Sequence, residues 1–252
     1  MREILGRRRR LLPRRRRSGK PDLLTAALTC ATAWQWPVLP GVGLQPGGSG
    51  AYDCACPHPD CVVPGAHPFD PGLLAATTDG RMVRWWWENR PKAPIVLATG
   101  GRAPCAVSLP AVAASQALAD LDAMGVRIGP VVATPTRWSI LVAPYSLEVL
   151  GELLHQQEWV PGSLRFHGDG GYVVLPPSQT GLGLVRWERE PQPASEVRAE
   201  APASGRRLGK AAAKKRSAEA GDTPWLPDVA TVVDALVEAS TRAPGGGSRL
   251  AY

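Results

Sequence analysis

Long apolar runs are missing from this sequence of 252 residues. No stretch approaches the roughly 18 apolar residues of a membrane-spanning helix, so we expect no membrane anchor. Cysteine is also scarce, and three of the five cysteines are concentrated in residues 54–61. A chain this long can form a core without disulfides. The cysteine pattern therefore argues against a disulfide framework and favours a metal site in a protein of the reducing cytoplasm.

Acidic side chains are nearly absent from residues 1–20, where ten Arg and Lys accompany one Glu for a net charge of +9. Residues 21–200 have the opposite balance, with a net charge of −5. Two runs of four arginines hold most of the positive charge: Arg7, Arg8, Arg9, Arg10, Arg14, Arg15, Arg16 and Arg17. Because such runs repel themselves, we expect a disordered arm that contacts the phosphates of DNA or RNA. A solvated tail without a ligand is the alternative.

The basic arm and the apolar residues at 23–31 are in the order of a secretory signal, but Pro21 and Asp22 separate the two segments, and Trp34 and Trp36 follow. We therefore expect a cytoplasmic location.

Three cysteines and a histidine lie within fourteen residues of a Pro- and Gly-rich segment: Cys54, Cys56, Cys61 and His67. Zinc prefers a closed tetrahedral set of thiolates and imidazoles, and a site without an open position supports structure and not catalysis. We predict structural zinc on these four side chains. His58 is an alternative to His67, although it lies inside the short turn between Cys56 and Cys61. The other interpretation is that the three cysteines are unrelated and reduced. A single residue between Cys54 and Cys56 is less diagnostic of a zinc site than the two residues of a Cys-x2-Cys pair.

Apolar periodicity predicts that helices and strands alternate along the middle of the chain, as in an α+β fold. A helix begins near Leu23, and another, capped by Thr78 or Asp79, carries three consecutive tryptophans. One or two of these should be core residues, since three neighbouring positions cannot share one helix face; base stacking is the alternative. Further predicted helices and strands lie at 115–125, 127–133, 138–143, 146–157 and 172–175.

Composition changes near residue 190, where Pro, Ala, Ser and charged residues become dominant. We predict four segments: a disordered basic arm at 1–20, a folded domain at 21–190, a flexible and partly basic linker at 191–222, and a short helix with a disordered end at 223–252. The linker carries six basic residues at 206–216 without an acid. They either contact nucleic acid or form a solvated stretch.

Five motifs follow one another in a familiar order: Trp36-Pro37-Val38, the Cys/His loop through His67-Pro68, Ala76 to Asp79 with the Trp-rich helix, Ile95 to Gly100, and Gly168 to Ser178. In this order the chain resembles the N-terminal domain of actinobacterial and phage bifunctional DNA primase/polymerases, of the archaeo-eukaryotic primase superfamily. The resemblance implies an α+β fold with an RRM-like mixed sheet, a zinc-supported loop, and nucleotide addition by two metal ions.

The sequence departs from that family pattern where catalysis is expected. Ser108 and Pro110 stand where the family carries an Asp-x-Asp pair, Ile140 stands nearest the phosphate-contacting His, and Arg165 stands near the third acid. We therefore expect no catalytic magnesium or manganese, and a non-catalytic nucleic-acid-associated or regulatory protein, with a replication or regulatory protein as a further partner. An active primase/polymerase is one alternative. A zinc-stapled protein-interaction module, favoured by the acidic body, is the other.

Overall fold

The computed structural model describes residues 22–48, 52–195 and 223–242, with side chains in the last segment described as far as Val237. The arginine arm of residues 7–17, the basic patch at 206–216 and the Gly-rich end lie outside the described residues. The predictions made for those three segments stay predictions.

Five helices and twelve short strands are present in the described part of the chain. The helices are α1 (Leu23–Leu28), α2 (Gly80–Asn89), α3 (Ala111–Ala123), α4 (Leu147–Gln156) and α5 (Val229–Arg242). The strands are β1 (Val38–Pro40), β2 (Leu44–Pro46), β3 (Tyr52–Cys54), β4 (Ile95–Ala98), β5 (Cys105–Pro110), β6 (Val131–Ala133), β7 (Arg137–Val142), β8 (Arg165–His167), β9 (Tyr172–Leu175), β10 (Gln179–Thr180), β11 (Gly183–Leu184) and β12 (Arg186–Arg189). The predicted α+β class is confirmed.

Helices α1 and α2 pack on a three-stranded sheet of order β1-β4-β9. Helix α1 continues as one π-helical turn over Thr29–Ala33. Helix α2 begins at the predicted cap, where an Asp79 side-chain oxygen accepts a hydrogen bond from the Arg81 N–H at 2.8 Å. Trp86 and Trp87 are buried and Trp85 is exposed. Two of the three tryptophans are thus core residues, as helix geometry predicted.

A five-stranded sheet of order β12-β6-β7-β5-β8 forms the second half of the fold, and all of its strand pairs are antiparallel. Side chains alternate between its two faces. Along β5, Val107 and Leu109 belong to the core beneath helices α3 and α5, whereas Ala106 belongs to the core of the other sheet. The sheet therefore has a helix-covered face and a face directed towards β9.

Helix α5, predicted as a short helix after the linker, contributes to the core. Val232, Val233 and Leu236 are buried in the cluster that includes α3 and the five-stranded sheet. The chain on either side of residues 196–222 is joined by backbone hydrogen bonds, from Ala194 N–H to Thr223 O at 3.1 Å and from Trp225 N–H to Gln192 O at 2.8 Å. None of the described helices is long and apolar enough to cross a membrane.

Candidate metal centre and the adjoining cavity

The four predicted metal ligands come together at the end of the β2–β3 hairpin and in the loop that follows it. The ligand atoms of Cys54, Cys56, Cys61 and His67 all lie within 4.8 Å of one another. His67 Nε2 is 3.3 Å from Cys54 Sγ and 3.4 Å from Cys61 Sγ. Tetrahedral zinc bonds of about 2.0–2.3 Å separate neighbouring ligand atoms by about 3.6 Å. The group is therefore close enough to bind one metal ion, and its donors are consistent with zinc.

Backbone groups orient these ligands from outside the cluster. The Gly65 N–H donates to Cys54 Sγ at 3.2 Å. His67 Nδ1 lies 3.0 Å from the Pro68 carbonyl oxygen, which fixes the proton on Nδ1 and leaves Nε2 free to bind metal. Burial raises the pKa of Cys54, but hydrogen bonds from the Gly65 and Cys56 backbones and from the Cys56 and His67 side chains bring it down to about 7. His58 lies outside the described ligand group.

Residues 54–67, called the metal loop below, form one wall of a cavity between the three-stranded and five-stranded sheets. Ala66, next to ligand His67, lines a cavity of about 190 Å³ together with residues of β5 to β9 and the β10–β11 hairpin. The hairpin packs tightly on the loop, because the Gly181 N–H donates to the Pro64 carbonyl at 2.8 Å and a side chain at Gly181 would lie 2.6 Å from Pro64 Cβ. Tyr172 lines both this cavity and the outer groove of the metal loop. The two sites thus share structure.

Three strands place one row of side chains on the floor of the cavity. Ser108 of β5 is in register with Ser139 of β7 on one side and with Arg165 of β8 on the other. All three line the cavity. Since side chains two apart in a strand share a face, Arg137 and His167 extend this row, and both also line the cavity.

Ser108 is the centre of a hydrogen-bond network. Its Oγ lies 3.0 Å from His167 Nε2, and Arg137 donates to Oγ from Nε at 3.4 Å and from Nη2 at 3.3 Å. Arg137 Nη2 also donates to the carbonyl oxygens of Ser108 at 2.8 Å and Ser163 at 2.9 Å. A guanidinium only donates, so Ser108 Oγ accepts from Arg137, and its other contact in the network is with His167 Nε2.

The cavity is positive and contains no acid among the described residues that line it. Burial lowers the pKa of Arg137, and the charge of Arg165 lowers it further. Burial likewise lowers the pKa of His167, with Arg137 and Arg165 adding to the effect against a backbone hydrogen bond with Tyr172. Two guanidinium groups therefore face the cavity without a carboxylate partner in the described part of the chain.

The remaining residues singled out from the sequence lie elsewhere. Pro110 ends β5, precedes the first residue of α3 and does not line the cavity. Ile140 is buried in the core on the helix-covered face. Asp169 is exposed in the turn before β9 and is also outside the cavity. Arg137, Ser139 and His167 also line the cavity and were not selected as site residues from the sequence. Strand alternation from Arg165 would have found His167.

The fold and the loop define an α+β domain in which a Cys/His metal-ligand loop braces a cavity between two antiparallel sheets. The chain belongs to the family of the N-terminal domain of bifunctional DNA primase/polymerases, whose family model matches residues 27–204. The match includes the metal loop and every cavity residue named above. It confirms the resemblance seen in the sequence. No curated protein and no solved structure is significantly similar to the chain.

Proposed function

We propose that this member of the primase/polymerase family does not add nucleotides and acts as a nucleic-acid-associated, regulatory protein. The observation that carries the proposal is the composition of the cavity. Ser108 occupies the strand position where an acid was expected, and Arg165 lies beside it in register. Neither side chain supplies the negative charge with which carboxylates hold a divalent cation.

Electrostatics supports the same conclusion. Nucleotide addition by two metal ions requires carboxylates that hold two divalent cations between the attacking and leaving oxygens. Here Arg137 and Arg165 line the cavity, and no described lining residue is Asp or Glu. The positive charges of these two side chains repel a divalent cation, and the repulsion is stronger in a partly buried site than in water. The residues present do not fit catalytic magnesium or manganese.

Nucleic acid is the ligand class that the charge distribution favours. Residues 1–20 have a net charge of +9, and the linker adds six basic residues at 206–216. Lys and Arg that neutralise phosphates release bound counterions, so binding by these segments depends steeply on salt. The folded body between them is acidic. The basic segments therefore carry the affinity, and the domain provides the scaffold from which they extend.

Zinc has a structural role in this proposal. The ligand set is closed, because three thiolates and one imidazole complete a tetrahedron without a position for substrate. Its loop supplies Ala66 to the cavity wall and holds the β10–β11 hairpin through Pro64. The metal thus fixes the shape of the cavity and takes no part in chemistry.

Primer extension on a DNA template, with magnesium and with manganese, tests the absence of catalysis. We expect no product with purified full-length protein. Template-dependent synthesis that co-purifies with the protein through successive columns would overturn the proposal and favour an active primase/polymerase.

Fluorescence anisotropy with single-stranded and duplex DNA tests the nucleic-acid role. The full chain should bind with an affinity that falls steeply between 50 and about 200 mM salt. A full-length variant with the eight arginines of residues 7–17 changed to glutamine should bind at least tenfold more weakly. No binding by the unmodified chain at low salt would reject nucleic acid as the ligand.

Protein interaction is a second candidate, and one observation favours it. Val62, Phe69 and Leu74 lie on or just after the metal loop and expose their apolar side chains to solvent. The three residues are close in sequence, and exposed apolar patches are typical of protein-binding surfaces. Substitution of Val62 and Leu74 by serine should leave DNA binding unchanged, so loss of a replication or regulatory partner in that variant alone would favour this function.

A further inference from the structure

Two cations in the cavity have no counterion among the described residues. The side chain of Arg165 lines the cavity and makes no hydrogen bond or ion pair with a described residue. Arg137 is held by its Nε and Nη2 atoms, which donate to Ser108 and to the Ser163 carbonyl oxygen. Its Nη1 makes no hydrogen bond with a described residue. Both guanidinium groups therefore have donors available for a ligand that accepts hydrogen bonds.

Neutral donors surround the same space. The hydroxyls of Thr136 and Ser139 line the cavity and make no hydrogen bond with a described residue. The Thr134 hydroxyl, by contrast, is already used, since it donates to the Arg137 carbonyl oxygen at 2.7 Å. Two arginines with two free hydroxyls form a set of donors without a matching acceptor. Guanidinium groups bind phosphate oxygens in pairs, which makes arginine the preferred side chain for this ligand.

Size restricts the ligand further. Sites for whole small molecules enclose roughly 300–1,000 Å³. The cavity encloses about 190 Å³, which leaves room for one phosphoryl group and not for a complete nucleoside triphosphate. The rest of a larger ligand would extend through the open side. Arg137 is rigidly held by three protein oxygens, so it is already oriented before the ligand arrives.

We infer that this cavity binds one phosphate monoester group, without a divalent cation, between Arg137 and Arg165. The inference rests on the proposed loss of metal-dependent catalysis and names the ligand class of the same site. A phosphorylated end of a nucleic-acid strand and a free mononucleotide both present this group. The lowered pKa of Arg137 agrees with a site in which positive charge is uncompensated.

Isothermal titration calorimetry of the full chain with inorganic phosphate, without added magnesium or manganese, tests the inference. We expect a saturable site with a stoichiometry of one. Arg165→Gln should weaken binding about tenfold or more, because it removes charge-assisted hydrogen bonds. Arg137→Lys keeps the positive charge but loses the planar guanidinium that donates paired hydrogen bonds, and should also weaken binding. The Arg102→Gln variant is the matched control, since Arg102 lies in the turn before β5 and outside the cavity.

Two comparisons separate the sources of the phosphate. The first compares the affinity for a 5′-phosphorylated oligodeoxythymidylate with that for the same strand with a 5′-hydroxyl. The second compares the affinity for the phosphorylated strand with that for thymidine 5′-monophosphate. A gain from 5′-phosphorylation that Arg165→Gln abolishes assigns the site to a strand end. Tighter binding of the mononucleotide assigns it to a free nucleotide. Either result supports the inference.

Two results would overturn the inference. The first is that the unmodified protein does not bind phosphate. The second is that it binds phosphate no more tightly than the Arg165→Gln and Arg137→Lys variants do, which is the result expected if the basic arm, intact in all of these proteins, is the binding site. Primer extension reports separately on the proposed function. An inactive protein without phosphate binding refutes only the site, whereas a protein active with magnesium refutes the proposed function.

Discussion

The metal loop and the cavity beside it share a wall but differ in how their polar groups are satisfied. In the loop, three sulfurs and one imidazole nitrogen lie within 4.8 Å and form a complete ligand set for one cation. In the cavity, two guanidinium groups and a neutral histidine surround a space without a described acid. The side chains of the loop suit a cation, whereas those of the cavity suit an anion. Two sites of opposite charge preference thus lie next to each other in one small region.

The largest expected effect comes from breaking the loop. The His67→Ala variant should destabilise the protein by about 4 kcal/mol or more, because loss of a structural metal is among the most damaging single changes. Chemical denaturation and zinc content by elemental analysis measure this together. We expect one zinc per chain in the unmodified protein and much less in the variant. A fully folded, metal-free preparation would contradict a structural role for the metal.

A smaller effect should come from separating the loop and the hairpin without touching a ligand. Gly181→Ala places a Cβ 2.6 Å from Pro64 Cβ, so one of the two segments must move. We expect a destabilisation of about 1–3 kcal/mol, typical of overpacking, with metal content unchanged and phosphate binding weakened. Thermal denaturation and calorimetry check both parts.

Gly151→Ala is the matched control for that change. Gly151 lies inside α4, and a Cβ there meets no atom within 4 Å. Alanine in a helix interior should stabilise the protein by about 0.5–1 kcal/mol. If Gly181→Ala is as harmless as this control, the loop does not support the cavity wall.

The charge of the cavity should appear in the pH dependence of stability. The pKa of His167 is lowered in the folded protein, so between that value and the unfolded value of about 6.5 the unfolded chain binds more protons. Stability should therefore fall as the pH drops below about 6.5. His167 faces Arg137 from β7, Arg165 from β8 and the Tyr172 backbone, and no described acid of the cavity opposes the effect.

His167→Gln isolates this contribution from the other titrating groups. Denaturant midpoints at pH 7.5 and 5.5 should differ less in the variant than in the unmodified protein. Equal differences in the two proteins would show that His167 titrates normally and that the cavity charge does not reach it.

The smallest effect is expected at the other histidine of the loop. The His58→Ala variant should change stability by less than about 0.5 kcal/mol, because His58 lies outside the described ligand group. Zinc content should stay at one per chain. A loss of zinc from the His58→Ala variant as large as that expected for His67→Ala would show that His58, and not His67, is the fourth metal ligand.

Local signals predicted much of the fold correctly. Asp79 caps α2, and Trp86 and Trp87 are buried. These features depend on residues a few positions apart, where helix geometry decides which side chains meet. The sequence predicted helix α5 but not where it packs, because its burial depends on α3 and the sheet, which are distant in the sequence.

The metal ligands were predictable for the same reason, since fourteen residues of sequence contain all four donors. The cavity was not. Ser108 and His167 are 59 residues apart and meet only through the pairing of β5 with β8. Ile140 and Ser139 are neighbours in sequence, yet one is buried in the core and the other lines the cavity, because a shift of one residue changes the face of a strand. Spacing along the chain sets the ligands of the loop, whereas strand register selects the residues of the cavity.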